Sequence, residues 1–289
     1  MVVIKRFRTV WGIDSGEKFE NWIPWFPDLK KQGYAGVEVD ITDRSADNLR
    51  QLRKVADDAG LEMTALIHTA WAGYVGARPK GLTPDVHLEI YRKNLELASI
   101  LRPVRINAQS GADYWSWDES VYFYKKTLEI DQELGLTGTV CHETHRNRSL
   151  VTPYAFKYVL ERVPNLQVTA DISHWVVCCE RLLDLGEEDK EILDLLIPRV
   201  FHIHSRIGTT QSSQCPEPED PIFKEEREFF ERLWLRIVKA RSKDSDVITF
   251  VPEYGPFPYH PYGSIRTHGQ VADSEGARLQ KLFEDSLKA

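Results

Sequence analysis

Four short apolar runs in this chain each end in a side chain able to hold a metal ion or a proton. Leu166–Trp175 (LQVTADISHW) alternates Leu166, Val168 and Ala170, ends in Asp171, and carries His174 three residues on. Thr137–Glu143 ends in Glu143, Arg199–His204 in His204, and Val247–Glu253 in Glu253. Alternation with a period of two is the pattern of a half-buried strand. Four strands that each deliver a carboxylate or an imidazole at the carboxyl end predict one metal site at the mouth of a barrel. Three carboxylates and one imidazole carry a formal charge of about minus three, and within a few ångströms they would repel and raise one another's pKa values. A single divalent ion relieves that repulsion. The oxygen and nitrogen donors suit Mn²⁺, Mg²⁺, Co²⁺ or Zn²⁺, and the missing thiolate argues against a purely structural zinc. Glu143 and Glu253 also form a natural acid–base pair. One removes a proton from a carbon next to a carbonyl, the ion stabilises the enediolate, and the other returns the proton.

Plainer readings exist for each residue. An acidic residue just after a strand is commonly a helix cap, which is the alternative for Glu143, Asp171 and Glu253. His202 shares a strand face with His204, so one of the two is a ligand; His204, nearer the strand end, is the choice, and His202 falls to a supporting or core role. His174 is placed against substrate beside the metal, and His68, His145, Arg206 and Trp175 as further substrate contacts. Trp71 and Trp115 are wall residues by the same reasoning, although tryptophans more often pack than stack on substrate. Glu38 fits a solvated or barrel-bottom role as readily as a pocket one.

The elements that must position these groups alternate. The strand Val2–Ile13 leads to a helix over Glu17–Gly33 with Trp22, Trp25 and Leu29 on one face, its length limited by Pro24 and Pro27. Gly36–Ile41 is the second strand. A helix capped by Ser45 then runs to Gly60, with Leu49, Leu52, Val55 and Ala56 as its stripe. Leu61–His68 is the third strand, followed by a Trp/Tyr/Gly-rich loop to Thr83 and a helix over Pro84–Leu101. Pro103–Ala108 is the fourth, and Asp118 is expected to cap the helix that follows and runs to Leu134, ended by Gly135. Helices over Pro153–Val163, Glu180–Leu196 and Pro221–Arg241 follow the fifth, sixth and seventh strands, and the last helix lies near Asp273–Leu287. Gly208–Asp220 reads as a polar loop, with the stretch from Gln211 either a lid or a loose surface segment. Eight strand–helix units argue for an α/β chain closed as one (β/α)8 TIM barrel over residues 1–289. A doubly wound open sheet lacks its Gly-rich phosphate fingerprint after the first strand.

Composition agrees. The 289 residues are 42% hydrophobic and 28% charged, as in a soluble globular protein. The net charge of -7 offers no footprint for nucleic acid. No run approaches the ~20 apolar residues of a membrane span, and the N-terminus lacks a signal-peptide core, so a cytoplasmic protein is expected. Cys141, Cys178, Cys179 and Cys215 form no CxxC pair and are read as reduced thiols.

Taken in order, HETH at His142–His145, DISH at Asp171–His174, HIHSR at His202–Arg206 and PEYGP at Pro252–Pro256 resemble the xylose-isomerase-like superfamily of TIM barrels, which holds sugar isomerases and epimerases and endonuclease-IV-type enzymes. The resemblance covers nearly the whole chain by strand order. It implies that Glu143, Asp171, His204 and Glu253 bind one divalent metal, that Glu143 and Glu253 are catalytic, and that His174 meets a substrate hydroxyl. A divalent-metal-dependent isomerase or epimerase of a small polyhydroxylated carbonyl compound follows, with a homo-oligomer as an analogy only. Many members follow the seventh-strand His with Lys-Asp; here Ser205-Arg206 stands, and Arg206 could clamp a carboxylate, a phosphate or a polarised sugar oxygen. The rivals are a dehydratase or lyase sharing the first proton abstraction, an endonuclease-IV-type nuclease, and a non-catalytic sugar-binding barrel.

Overall fold

In the computed structural model, which describes residues 2–14, 18–72 and 76–288, eight parallel strands close into a barrel in sequence order. The chain runs β1 Val3–Thr9, α1 Phe19–Lys31, β2 Gly36–Asp40, α2 Ala46–Asp58, β3 Glu62–His68, α3 Pro84–Ala98, β4 Arg105–Gln109, α4 Trp117–Glu133, β5 Val140–Glu143 and α5 Pro153–Arg162. It continues with β6 Val168–Ala170, α6 Ile172–Cys179, α7 Glu187–Leu196, β7 Val200–His204, α8 Lys224–Arg241, β8 Val247–Val251 and α9 His268–Ser286. Closure is direct: Val3 to Arg6 of β1 lie beside Val247 to Phe250 of β8. The expected TIM barrel is the fold found. Glu17, where the first helix was to begin, lies outside the described residues, as do 73–75 of the Trp/Tyr/Gly-rich loop.

The helices seal the outside of the barrel with apolar stripes. In α2, Leu49, Leu52 and Ala56 are fully buried, and the Ser45 hydroxyl accepts from the Asn48 amide at 3.2 Å as the cap. Pro24 and Pro27 do not stop α1, which carries both inside its 13 residues and buries Trp22, Phe26 and Leu29. Packing of that aromatic face outweighs two lost N–H donors. The cap of α4 is Ser116, in a reciprocal box with Glu119, and Asp118 sits inside the first turn. α9 begins at His268, capped by Thr267 and Gln270, five residues before the expected start.

The sixth unit differs most. The helix expected over Glu180–Leu196 begins at Glu187, and a separate α6 occupies Ile172–Cys179. Its sequence, ISHWVVCC, has no polar stripe because its first five residues are buried, so no periodicity betrays it. The segment Gln211–Asp220 is tied to the barrel mouth at its middle. The Gln214 side chain is 1% exposed, donating to the Gly255 carbonyl at 3.0 Å and accepting from its amide at 2.8 Å. Arg266 pairs with Glu217 farther along.

Candidate active site

The barrel interior is polar at its carboxyl end. Alternation along β7 points His202 and His204 inward. Glu143 is the last residue of β5, and Glu253 follows β8 after Pro252. Asp171 comes directly after the three residues of β6 and begins α6. All four side chains are buried. One ligand atom from each of Glu143, Asp171, His204 and Glu253 lies within 4.8 Å of the other three. His204 Nδ1 stands 3.2 Å from Glu253 Oε2 and 3.7 Å from Glu143 Oε1. Neither those two oxygens nor that nitrogen has a hydrogen-bond partner. Charge alone pairs these atoms, and three buried polar atoms that converge without well-formed hydrogen bonds fit a divalent cation with oxygen and nitrogen ligands.

Asp171 answers both readings of its position. Its Oδ1 caps α6, accepting from the Ser173 amide at 3.1 Å and the Ser173 hydroxyl at 2.5 Å. Its Oδ2 turns to the site and holds the Arg206 guanidinium. Arg206 Nη2 also lies 3.4 Å from Glu253 Oε2 and 3.0 Å from His174 Nε2. The arginine is therefore a fixed cation against two of the four candidate ligands.

Charges follow this geometry. Burial pushes Glu143 up to about 8, opposed by His204 and assisted by the charges of Glu253 and Asp171. Burial lifts Asp171 to about 6 against the pull of Arg206. For Glu253 burial acts upward too, yet His204 and Arg206 together carry it down to about 2. Burial works to lower His204, but Glu253, Glu38 and Glu143 hold it well above the ordinary imidazole value. At neutral pH Glu143 therefore keeps its proton beside the ionised Glu253, and a cation in the cluster would favour its ionised form.

A cavity of about 480 Å³ opens over the site, lined by Trp11, His68, Gln109, His145, Arg206 and Tyr259 among others. Of the expected substrate contacts, His68, His145 and Arg206 reach it. His174 is wholly buried behind them, its ring 3.8 Å from that of His145. Trp175 does not reach the cavity: it is fully buried, donates to the Leu150 carbonyl at 2.8 Å and packs against Phe156. Because α6 begins at Ile172, the indole points to the helix layer. Trp115 is likewise turned outward, bonded to the Leu82 carbonyl and packed on His87.

The aromatic wall comes instead from Trp11, after β1, and Tyr259, after β8, in edge-to-face contact at 5.1 Å. Tyr259 is flanked by the guanidiniums of Arg146 and Arg206, each 5.2 Å from its ring. Glu38 is neither solvated nor at the barrel bottom. It is 1% exposed and meets both His202 and His204 across the barrel. A carboxylate between two valines of a buried strand was the available signal, since a buried charge needs a partner. Asn107 of β4, donating to Glu143 Oε2 at 2.7 Å, gave the same signal as an amide in an apolar run.

The model of the xylose isomerase-like TIM barrel family matches residues 26–213. The chain belongs to that family. Among solved structures of similar fold is an L-ribulose 3-epimerase, at a TM-score of 0.65 and 15% identity, with 100% of this chain and 96% of that one covered. A D-psicose 3-epimerase determined in the presence of D-fructose is similar at 0.57 and 18%, over 96% and 97%. Endonuclease IV from Thermus thermophilus is similar at 0.54 and 15%, over 98% of both chains. At these identities the likeness is one of fold. No curated protein matches the chain in sequence.

Proposed function

We propose that this barrel is a divalent-metal-dependent sugar isomerase or epimerase that works through proton transfer at a carbon next to a carbonyl. The observation that carries the reading is the convergence of Glu143, Asp171, His204 and Glu253 within 4.8 Å at the strand ends, where Glu143 Oε1, His204 Nδ1 and Glu253 Oε2 are buried without a well-formed hydrogen bond. A cation bound by these four residues supplies polarisation of a substrate carbonyl. The rest is done by the chain. Glu143, on β5, and Glu253, after β8, approach the site from strands three apart around the barrel. One takes the proton from the substrate carbon to leave an enediolate, and the other gives a proton back. Arg206 holds Asp171 and Glu253 in place, and its cavity side meets a substrate oxygen. Trp11 and Tyr259 keep water from one side of the cavity, whose volume suits a small molecule. His68, Gln109 and His145 offer hydrogen bonds to hydroxyl groups. The epimerase structures of similar fold support the sugar as the substrate class, and the net charge of -7 disfavours a nucleic acid.

The test is solvent-deuterium exchange with a panel of ketoses and their keto-acid relatives in the presence of each candidate metal. Deuterium should enter carbon at the exchanged position, and Glu143→Gln or Glu253→Gln should each lower the rate by about 10²-fold or more. Near-wild-type exchange in both variants would sink the mechanism. Absence of exchange with every substrate would favour a binding barrel. A product lighter by one water would transfer the same first step to a lyase.

A further inference from the structure

We infer that Glu38 is the positioning residue of the site: it fixes which nitrogen of His204 faces the four-residue cluster. The inference rests on the metal reading above and adds a residue to it. Glu38 stands on β2, and β7 is not its neighbour in the sheet. Its carboxylate crosses the barrel interior and divides between two histidines. Oε1 lies 3.1 Å from His204 Nε2, and Oε2 lies 3.1 Å from His202 Nε2. The arrangement is itself anchored, since Thr64 donates to Glu38 Oε2 at 3.2 Å and His202 Nδ1 is 2.7 Å from the Thr249 hydroxyl.

The only other polar side chain against His204 Nε2 among the described residues is Asn107, whose Nδ2 lies 3.4 Å away. That amide nitrogen donates to Glu143 Oε2 at 2.7 Å, and an amide NH2 group is a donor only, so it offers an Nε2–H no acceptor. Glu38 Oε1 is then the acceptor that holds the proton on Nε2. The lone pair is left on Nδ1, the nitrogen that sits between Glu143 and Glu253 without a hydrogen-bond partner. A carboxylate behind a ligating imidazole orients the ring, selects its tautomer and makes it a better donor. His202 has the second place on the same carboxylate and serves to keep Glu38 in register.

The experiment uses full-length protein labelled with ¹⁵N-histidine and loaded with Zn²⁺, together with calorimetric titration of Mn²⁺ and Co²⁺ into the metal-free protein. In wild type, the His204 spectrum should show a directly bonded proton on Nε2 and none on Nδ1. Glu38→Gln removes the charge and one acceptor oxygen, and should weaken Mn²⁺ and Co²⁺ binding about 10- to 100-fold. Asp131→Asn, which neutralises a buried carboxylate on α4 that is bonded to Tyr91 and not to the site, should leave affinity within about threefold of wild type, below that range. A purely structural Glu38 would lower thermal stability in Glu38→Gln while leaving metal affinity and the His204 spectrum unmoved, and that result overturns the inference. So does a wild-type spectrum with the proton on Nδ1, whether or not the variant folds. If wild type binds no metal at all, the metal reading falls. The Nε2–H resonance of metal-free protein, shifted by its bond to the Glu38 carboxylate and moved in Glu38→Gln, then still decides the contact, and a resonance the same in both proteins overturns it.

Discussion

Asp131 tests how well the energetics of the shell are understood. Its carboxyl group, on α4, is 5% exposed and accepts the Tyr91 hydroxyl at 2.6 Å. Burial lifts it from the ordinary 3.8 to about 7, with the Tyr91 bond opposing only in part. Between these values the folded chain holds a proton that the unfolded chain has released, so unfolding releases a proton and stability falls as pH rises. Each pKa unit is worth about 1.4 kcal/mol, so roughly three units correspond to about 4 kcal/mol. That stability is present below about pH 4 and gone above about pH 7. Asp131→Asn keeps an oxygen for Tyr91 and cannot ionise. The variant should match wild type near pH 4 and exceed it by up to about 4 kcal/mol at pH 8. The assay is urea unfolding of both proteins with chelator present, at pH values from about 4.5 to about 8.5, read as the difference between their midpoints multiplied by the slope. Other titrating groups are common to both proteins and cancel. A difference that stays flat with pH, or a variant less stable than wild type at pH 8, would refute the reasoning.

Two further outcomes follow from the cavity wall and the core. A Cβ on Gly255 would lie 1.9 Å from Trp11, so Gly255→Ala must displace the indole; KM for the sugar should rise by up to about tenfold with kcat little changed, as expected when uniform binding is lost. A large fall in kcat alone would show that Trp11 is not a wall but part of the chemistry. Trp175→Ala should cost about 3–5 kcal/mol in unfolding experiments and leave KM unchanged at a temperature where the variant is folded. A raised KM at unimpaired stability would return Trp175 to the substrate.

The barrel was legible because its signals are local and repeated: alternating strands, capped helices and carboxylates at strand ends. Glu143, Asp171, His204 and Glu253 could be picked out because apolar packing alone does not call for a charged residue at the close of a strand. What eluded the sequence depends on direction in space. Trp175 lies one residue beyond His174, yet the onset of α6 at Ile172 turns it into the core. Trp11 and Tyr259 are far apart in the chain and meet only when β1 closes on β8. Gln214 looks like a residue of a loose polar loop until its amide is seen clamped to Gly255. Glu38 was read as readily for a solvated or barrel-bottom role as for a pocket one, because its partners sit across the barrel and no spacing rule reaches from β2 to β7.

The most direct test of the central claim is elemental analysis of protein purified without chelator, for wild type and Glu253→Gln side by side. The account predicts about one divalent ion per chain in wild type, held by Glu143, Asp171, His204 and Glu253, and a clearly reduced content in the variant. Wild-type protein without metal, and not reconstituted by Mn²⁺, Co²⁺, Mg²⁺ or Zn²⁺, would contradict it.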